Sequence, residues 1–325
     1  MKKNVIALAV ATAMAAPMAA QAEVTVSGVL QAEIVSVSGD TPRDGTIAMQ
    51  DASTIGGGQG SHNVGGVFIN ASEDLGGGLK GLAKYGVNVD VDNRTYRTTR
   101  DAYVGLSGGF GTVLMGRMSS PYKTSTVKWD PFLATFMQAR GNGGASGGVA
   151  GHGSYLDETL AYANKFGAVK VVAGIALDET EEGNHAMSFS ANVPMGPVEL
   201  ALGYINASEH DAYANGVVED ASATKIGLKY NGGAFGMMFQ HEIRDEGLGD
   251  GSYTLLGANF ASGANTFALN YGMNDVEANG EDTTYMALGM KHAFSKTTGM
   301  HLGYKTTDQD GYAEDIVGLG LRVKF

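Results

Sequence analysis

Residues 100–162 read RDAYVGLSGGFGTVLMGRMSSPYKTSTVKWDPFLATFMQARGNGGASGGVAGHGSYLDETLAY. The first part alternates with period two. DAYVGLSG (Asp101–Gly108), a Gly108-Gly109 turn and FGTVLMGR (Phe110–Arg117) together read as a β-hairpin. Alternation stops at Met118 and resumes at DETLAYANKF, from Asp157. The stretch between holds Pro121, Pro131, the only tryptophan (Trp129) and the glycine-rich run Gly141–Gly153. A loop this long is either functional or disordered. Trp129, Phe132, Phe136 and Met137 supply apolar surface to pack, which a disordered segment lacks. Residues 120–156 therefore read as a constriction loop that folds back into a pore and narrows it.

The alternation extends outward over nearly the whole chain. VELALGY puts Val198, Leu200, Leu202 and Tyr204 on one face, and Glu199, Ala201 and Gly203 on the other. NTFALNYGM sets Phe267, Leu269 and Tyr271 against Ala268, Asn270 and Gly272. Sixteen such segments run from 23–37 to 313–325. They are about ten residues long, against five or six for strands of globular proteins. Short turns such as Gly76–Gly78 alternate with longer connections such as 38–61 and 209–220. That pattern belongs to a barrel with turns at one membrane rim and loops at the other. Prolines are expected in loops and turns, outside the strands. An even count brings the last strand back to the first and leaves no open edge. The expected fold is all-β: a sixteen-stranded antiparallel transmembrane β-barrel with an inward-folded third loop.

The first residues carry Lys2, Lys3, an apolar run Val5–Ala16 and Ala20-Gln21-Ala22. They read as a signal peptide, 1–22, cleaved between Ala22 and Glu23, ahead of a barrel domain over 23–325. Without that peptide, 20 basic residues face 34 acidic ones, a net charge of −14. This balance argues against nucleic acid as a partner. There are no cysteines, and a barrel closed by its own hydrogen bonds needs none. No later run of about 18 apolar residues marks a transmembrane helix.

ASEDLGGGLK (Ala71–Lys80), RDAYVGLSGGFGTVLMGR (Arg100–Arg117), DPF (Asp130–Phe132) and the terminal GLRVKF (Gly320–Phe325) occur in that order. Together they make the chain resemble the Gram-negative general porins of the Neisseria and Burkholderia type. The resemblance implies a homotrimer of pores in the outer membrane, each with an eyelet formed by loop three. It also implies contact with outer-membrane lipid and lipopolysaccharide. Gly320, Val323 and Phe325 would belong to a signal read by the barrel assembly machinery. Gly66 and Tyr155 stand where that family often has arginines, whereas Arg117 is kept, so the basic ladder is thinned.

An eyelet selects by size and by the field between opposed charges. Arg117 and Lys84 are the expected wall cations, with Arg97 or Arg100 next. Asp130, Asp157 and Glu158 are the expected acids. The thinned ladder and the acidic balance lead to an expected weak cation preference. Other motifs carry no chemistry. Gly76-x-Gly78-x-x-Gly81 has dinucleotide-fingerprint spacing but lies in a hairpin turn with no helix after it. Asp308, Asp310, Gly311, Glu314 and Asp315 miss the EF-hand spacing. The seven histidines have no paired metal-ligand spacing, and no nucleophile elbow occurs. No catalytic residue, cofactor or metal site is expected. The expected function is passive diffusion of small hydrophilic solutes and ions. A substrate-specific channel is the nearest alternative, and a barrel-borne hydrolase or adhesin lies further off.

Overall fold

The computed structural model describes residues 22–50, 65–89, 91, 99–147, 150–153, 155–177, 185–206, 221–245, 250–276, 282–309 and 311–325. The strands are β1 (Glu23–Ser38), β2 (Ile47–Gln50), β3 (Gly66–Gly76), β4 (Leu79–Asn88), β5 (Thr99–Gly108) and β6 (Gly111–Ser119). After the long loop come β7 (Tyr155–Phe166), β8 (Val169–Leu177), β9 (His185–Met195), β10 (Val198–Asn206), β11 (Ser222–Gly232) and β12 (Phe235–Asp245). The last are β13 (Gly251–Ser262), β14 (Asn265–Val276), β15 (Thr283–Ala293), β16 (Thr298–Gln309) and β17 (Tyr312–Lys324). Without β2 they make a closed, wholly antiparallel barrel of sixteen strands. Strand β1 closes it, pairing Glu23–Val29 with β3 and Val29–Ser38 with β17.

Among the described residues, β2 is the one strand the alternation did not reveal. Strand β3 begins opposite Val29, so the upper half of β1 would offer a bare edge on that side. Ile47–Gln50 covers it by pairing with Glu33–Ser36. Four residues are too short a run to display a period. Pro194, expected outside a strand, lies inside β9. It sits beyond Asn192, the last β9 residue paired with β8, so its missing N–H breaks no rung there.

Outward side chains form the apolar band. Leu269, Leu302 and Leu321 are 43%, 41% and 51% exposed and share no dry interior. Phe110, Phe166, Phe235, Phe260, Phe267 and Phe294 cluster near the short turns, where an aromatic girdle meets the headgroups. At the closure, Gly28 and Phe325 exchange backbone hydrogen bonds of 2.8 and 3.0 Å. A Cβ on Gly28 would lie 2.2 Å from the Phe325 ring, so glycine leaves the space the terminal ring fills.

The inward face differs from a plain water lining. Loop 3, the β6–β7 connection, packs against a long arc of wall. Trp129 rests on Gly227, Met137 on Gly289 and Gly303, and Phe136 on Gly318, while Gly144 backs onto Gly272. A Cβ on Gly303 would sit 2.2 Å from Met137 Sδ. Alternation places Gly272 on the face opposite Phe267, Leu269 and Tyr271, which is the inward one. Over this arc the glycines are seats for the loop, and Val35, Ala201, Leu255, Ala268 and Ala287 pack with it.

Candidate functional site

Loop 3 begins with helix α1 (Pro121–Thr126) and a 3₁₀ turn (Val127–Trp129). Ser120 caps the helix by accepting the Lys123 amide at 3.1 Å, and Pro121 occupies a first-turn position where its missing N–H costs nothing. Two buried wall carboxylates then pin the loop. Glu242 of β12 accepts the Tyr122 hydroxyl at 2.5 Å and the Ser146 hydroxyl and amide, joining the loop's start to its return. Glu33 of β1 accepts the Phe136 amide at 3.1 Å and also contacts His301 at 2.6 Å, Gln31 at 2.9 Å and Gln50 at 3.1 Å. A buried carboxylate is tolerable only with its lone pairs filled in this way.

Asp130 acts within the loop. It accepts the Phe132 and Ala139 amides and the Asn270 amide group, each at 2.8 Å. Burial pushes its carboxyl pKa up against the pull of those bonds. Its oxygens are thus occupied by the loop's own fold and β14 rather than turned to the passage. His152, near the loop's end, lies 2.9 Å from Lys225 Nζ through Nε2 and 3.3 Å from the Ser146 carbonyl through Nδ1. An ammonium can only donate, so Nε2 accepts and Nδ1 carries the proton. Burial holds the His152 pKa down at about 3.

The buried clusters that seat loop 3 contain no residue of β3 to β6, and at β7 they take in only Leu156. Lys84 of β4 pairs with Asp101 of β5 at 2.7 Å, and Arg117 of β6 pairs with Asp157 of β7 at 2.5 Å. Arg117 Nε also donates to the Thr99 carbonyl at 3.0 Å. Arg100 Nε donates to the Tyr155 hydroxyl at 3.1 Å. The Tyr155 ring has Arg117 at 5.1 Å and Lys123 of α1 at 3.7 Å, so its negative face and its oxygen hold three cations together. Lys84 and Arg100 also flank the Phe68 ring at 5.7 and 5.3 Å. From the loop side Arg140 donates to the His152 carbonyl at 2.8 Å. Burial, with Arg140 and Arg100 as like charges nearby, drives the Lys123 pKa well below that of a free lysine.

Two irregularities of the ladder build this cluster. Between Tyr85↔Ala102 and Val87↔Thr99, β5 spends two residues, Arg100 and Asp101, against Gly86 alone. Between Gly116↔Thr159 and Met118↔Leu156, β7 spends Asp157 and Glu158 against Arg117 alone. Gly116 at φ +131° and Glu158 at φ +46° absorb the second one. A bulge suspends the period-two rule, so adjacent residues can serve one face. Strict alternation sends one of each pair to lipid, which is why Asp101 was missed. Lys123 was missed because the loop has no period to read. Glu158 is exposed and its side chain makes no ion pair among the described residues. Arg97 lies outside the described residues.

A closed sixteen-stranded barrel with a loop pinned inside it is now joined by its likeness to known proteins. A sequence profile of the Gram-negative porins matches residues 7–312. The chain belongs to the Gram-negative porin family. It is an outer-membrane channel, crossing as a multi-pass β-barrel, and members of this family are channels rather than enzymes. Outer membrane porin protein 32 of Delftia acidovorans is 29% identical over 321 residues, 93% of this chain and 88% of that one. Major outer membrane protein P.IB of Neisseria gonorrhoeae is 33% identical over 127 residues, 38% of this chain and 34% of that one. The fold also matches the solved structure of an anion-selective porin from Comamonas acidovorans, with a TM-score of 0.78 and 22% identity. That match covers 94% of this chain and all of the other.

Proposed function

We propose that this porin passes small hydrophilic solutes with a preference for anions, and that its narrowest part lies between loop 3 and the β4–β7 wall. The observation that carries the reading is the cluster around Tyr155. Lys84, Arg100, Arg117 and Arg140 stand against two acids, Asp101 and Asp157, with the buried Lys123 amine on the Tyr155 ring beside them. The expected cation preference rested on the thinned basic ladder and on net charge, and finds no support. Net charge averages over the chain, and eleven acids with no lysine or arginine fall in 178–184, 207–220, 246–249 and 277–281. Selectivity follows the groups that line the constriction. A relative in fold is described as anion-selective, which favours the same sign.

Lys84, Arg100, Arg117 and Asp157 serve on this reading as eyelet residues, whereas Asp130 holds the loop. Arg97 and Glu158 have no geometry that assigns them a part. A homotrimer fits the family resemblance. An outward groove of about 370 Å³ supports it, where Ala71, Ala83 and Ala102 leave space between Ile69, Tyr85 and Met115 for a neighbour's side chains. Residues 1–22 as a cleaved signal, Gly320, Val323 and Phe325 as an assembly signal, and lipopolysaccharide as a rim partner stay part of the proposal. The test is the zero-current potential in planar bilayers under a potassium chloride gradient. The proposal expects the sign set by chloride. Permeation across neutral and charged sugars separates a general from a substrate-specific channel, and a single strongly preferred sugar would favour the latter.

A further inference from the structure

A second basic site lies at the other end of the barrel, on residues the constriction does not use. Around the β15–β16 turn a recess of about 190 Å³ is lined by Lys291, Lys296, Arg322 and Lys324, with Thr266 and His301 beside them. The turn is one of the short ones, so the recess opens at the periplasmic rim. Two of its cations brace loop 3 from below. Lys291 donates to the Pro131 carbonyl, and Arg322 donates to the Ala134 carbonyl at 2.6 Å and to Gln31. Carbonyls and an amide satisfy donors without cancelling charge. None of the four makes an ion pair among the described residues. Two carboxylates behind the recess offset part of this charge without forming ion pairs with it: Glu33 lies near Arg322 and Asp130 near Lys291. Lys324 and Lys296 are exposed at the recess and keep their heads in water.

We propose that this recess is a binding site for a small multivalent oxyanion, of the size of phosphate or pyrophosphate. Four cations around one hollow, with two carboxylates behind them, leave a positive surplus that favours a ligand with more than one negative charge, and the guanidinium and ammonium donors match tetrahedral oxygens. The site stands on its own residues and does not require the constriction to prefer anions. It would hold an oxyanion at the periplasmic mouth, below loop 3, apart from the cluster at Tyr155.

The test is a titration of the detergent-solubilised full-length protein with pyrophosphate, followed by phosphorus-31 line broadening, in wild type and two variants. K296Q/K324Q removes two recess charges without touching a contact to loop 3. K165Q removes an exposed lysine at the β7–β8 turn, outside both the recess and the constriction. The proposal expects saturable binding in wild type, weakened roughly tenfold in K296Q/K324Q and unchanged in K165Q. Bilayer conductance near the wild-type value shows that K296Q/K324Q still forms pores. No saturable binding overturns the proposal. So does binding that K296Q/K324Q leaves intact, and so does binding that K165Q weakens as much.

Discussion

Tyr155 gathers the cations of the passage, and its two chemical handles can be removed separately. Tyr155→Phe keeps the ring for Arg117 and Lys123 but loses the hydroxyl that receives Arg100. Tyr155→Leu loses both. The expected order of anion preference, read from zero-current potentials, is wild type, then Phe, then Leu; equal values in all three would remove Tyr155 from the account. Arg117→Ala deletes a cation and frees Asp157, so the chloride preference should fall roughly twofold with barrel assembly intact. Unchanged conductance and selectivity would take Arg117 out of the constriction. His152 makes a pH prediction. It is held neutral down to about pH 3, whereas a histidine released from the wall protonates near its ordinary value. Between those limits an opened loop takes up a proton that the docked loop does not. Docking therefore weakens as pH falls, by at most about 1.4 kcal/mol per pH unit. The groups facing His152 are Glu242 at 3.5 Å, Lys225 at 2.9 Å and Arg140 on its carbonyl. Wild-type channels should show more conductance fluctuation at pH 4.5 than at pH 7, and His152→Gln should lose that difference. The same pH response in both proteins would contradict it.

At the scale of elements, the barrel was legible and the loop's docking was not. Each outward residue of β10 or β14 faces lipid whatever its neighbours do, so a period of two was enough to find them. The bulges in β5 and β7 break that period at the very residues that carry charge, and a single sequence gives no sign of them. Asp130 was expected among the eyelet acids, and its partners here are loop amides and Asn270, which only the packed loop brings near. Loop 3 is held by Glu242, Glu33 and the glycine seats. Glu242→Ala strands the Tyr122 and Ser146 donors in a buried place, at about 1–3 kcal/mol for each bond. Gly303→Val drives a side chain into Met137 and should cost about 1–3 kcal/mol of docking. Both variants should keep the barrel's far-ultraviolet circular dichroism while protease begins to cut within 120–154. A loop as resistant as wild type in both would show that these contacts do not hold it.

For the whole molecule, the barrel wall and the loop divide the interior into a filled side and an open side. Loop 3 packs on β9 to β17 and β1, and on the proposed reading the solute path runs along β3 to β7, where Lys84, Arg100, Arg117 and Arg140 outnumber Asp101 and Asp157. The net charge of the chain was visible from the first, but it weighs every residue alike and so is a poor guide to the charges at a constriction. The chain has no cysteine, so single cysteines report on the path without background. The most direct test is the current through Arg117→Cys, Ala287→Cys and Leu269→Cys channels before and after an anionic methanethiosulfonate reagent. The account predicts that only the first loses current and swings its zero-current potential toward cations. It is contradicted if the reagent leaves Arg117→Cys unaffected while the channel with a cysteine at position 287, on the loop-covered wall, responds.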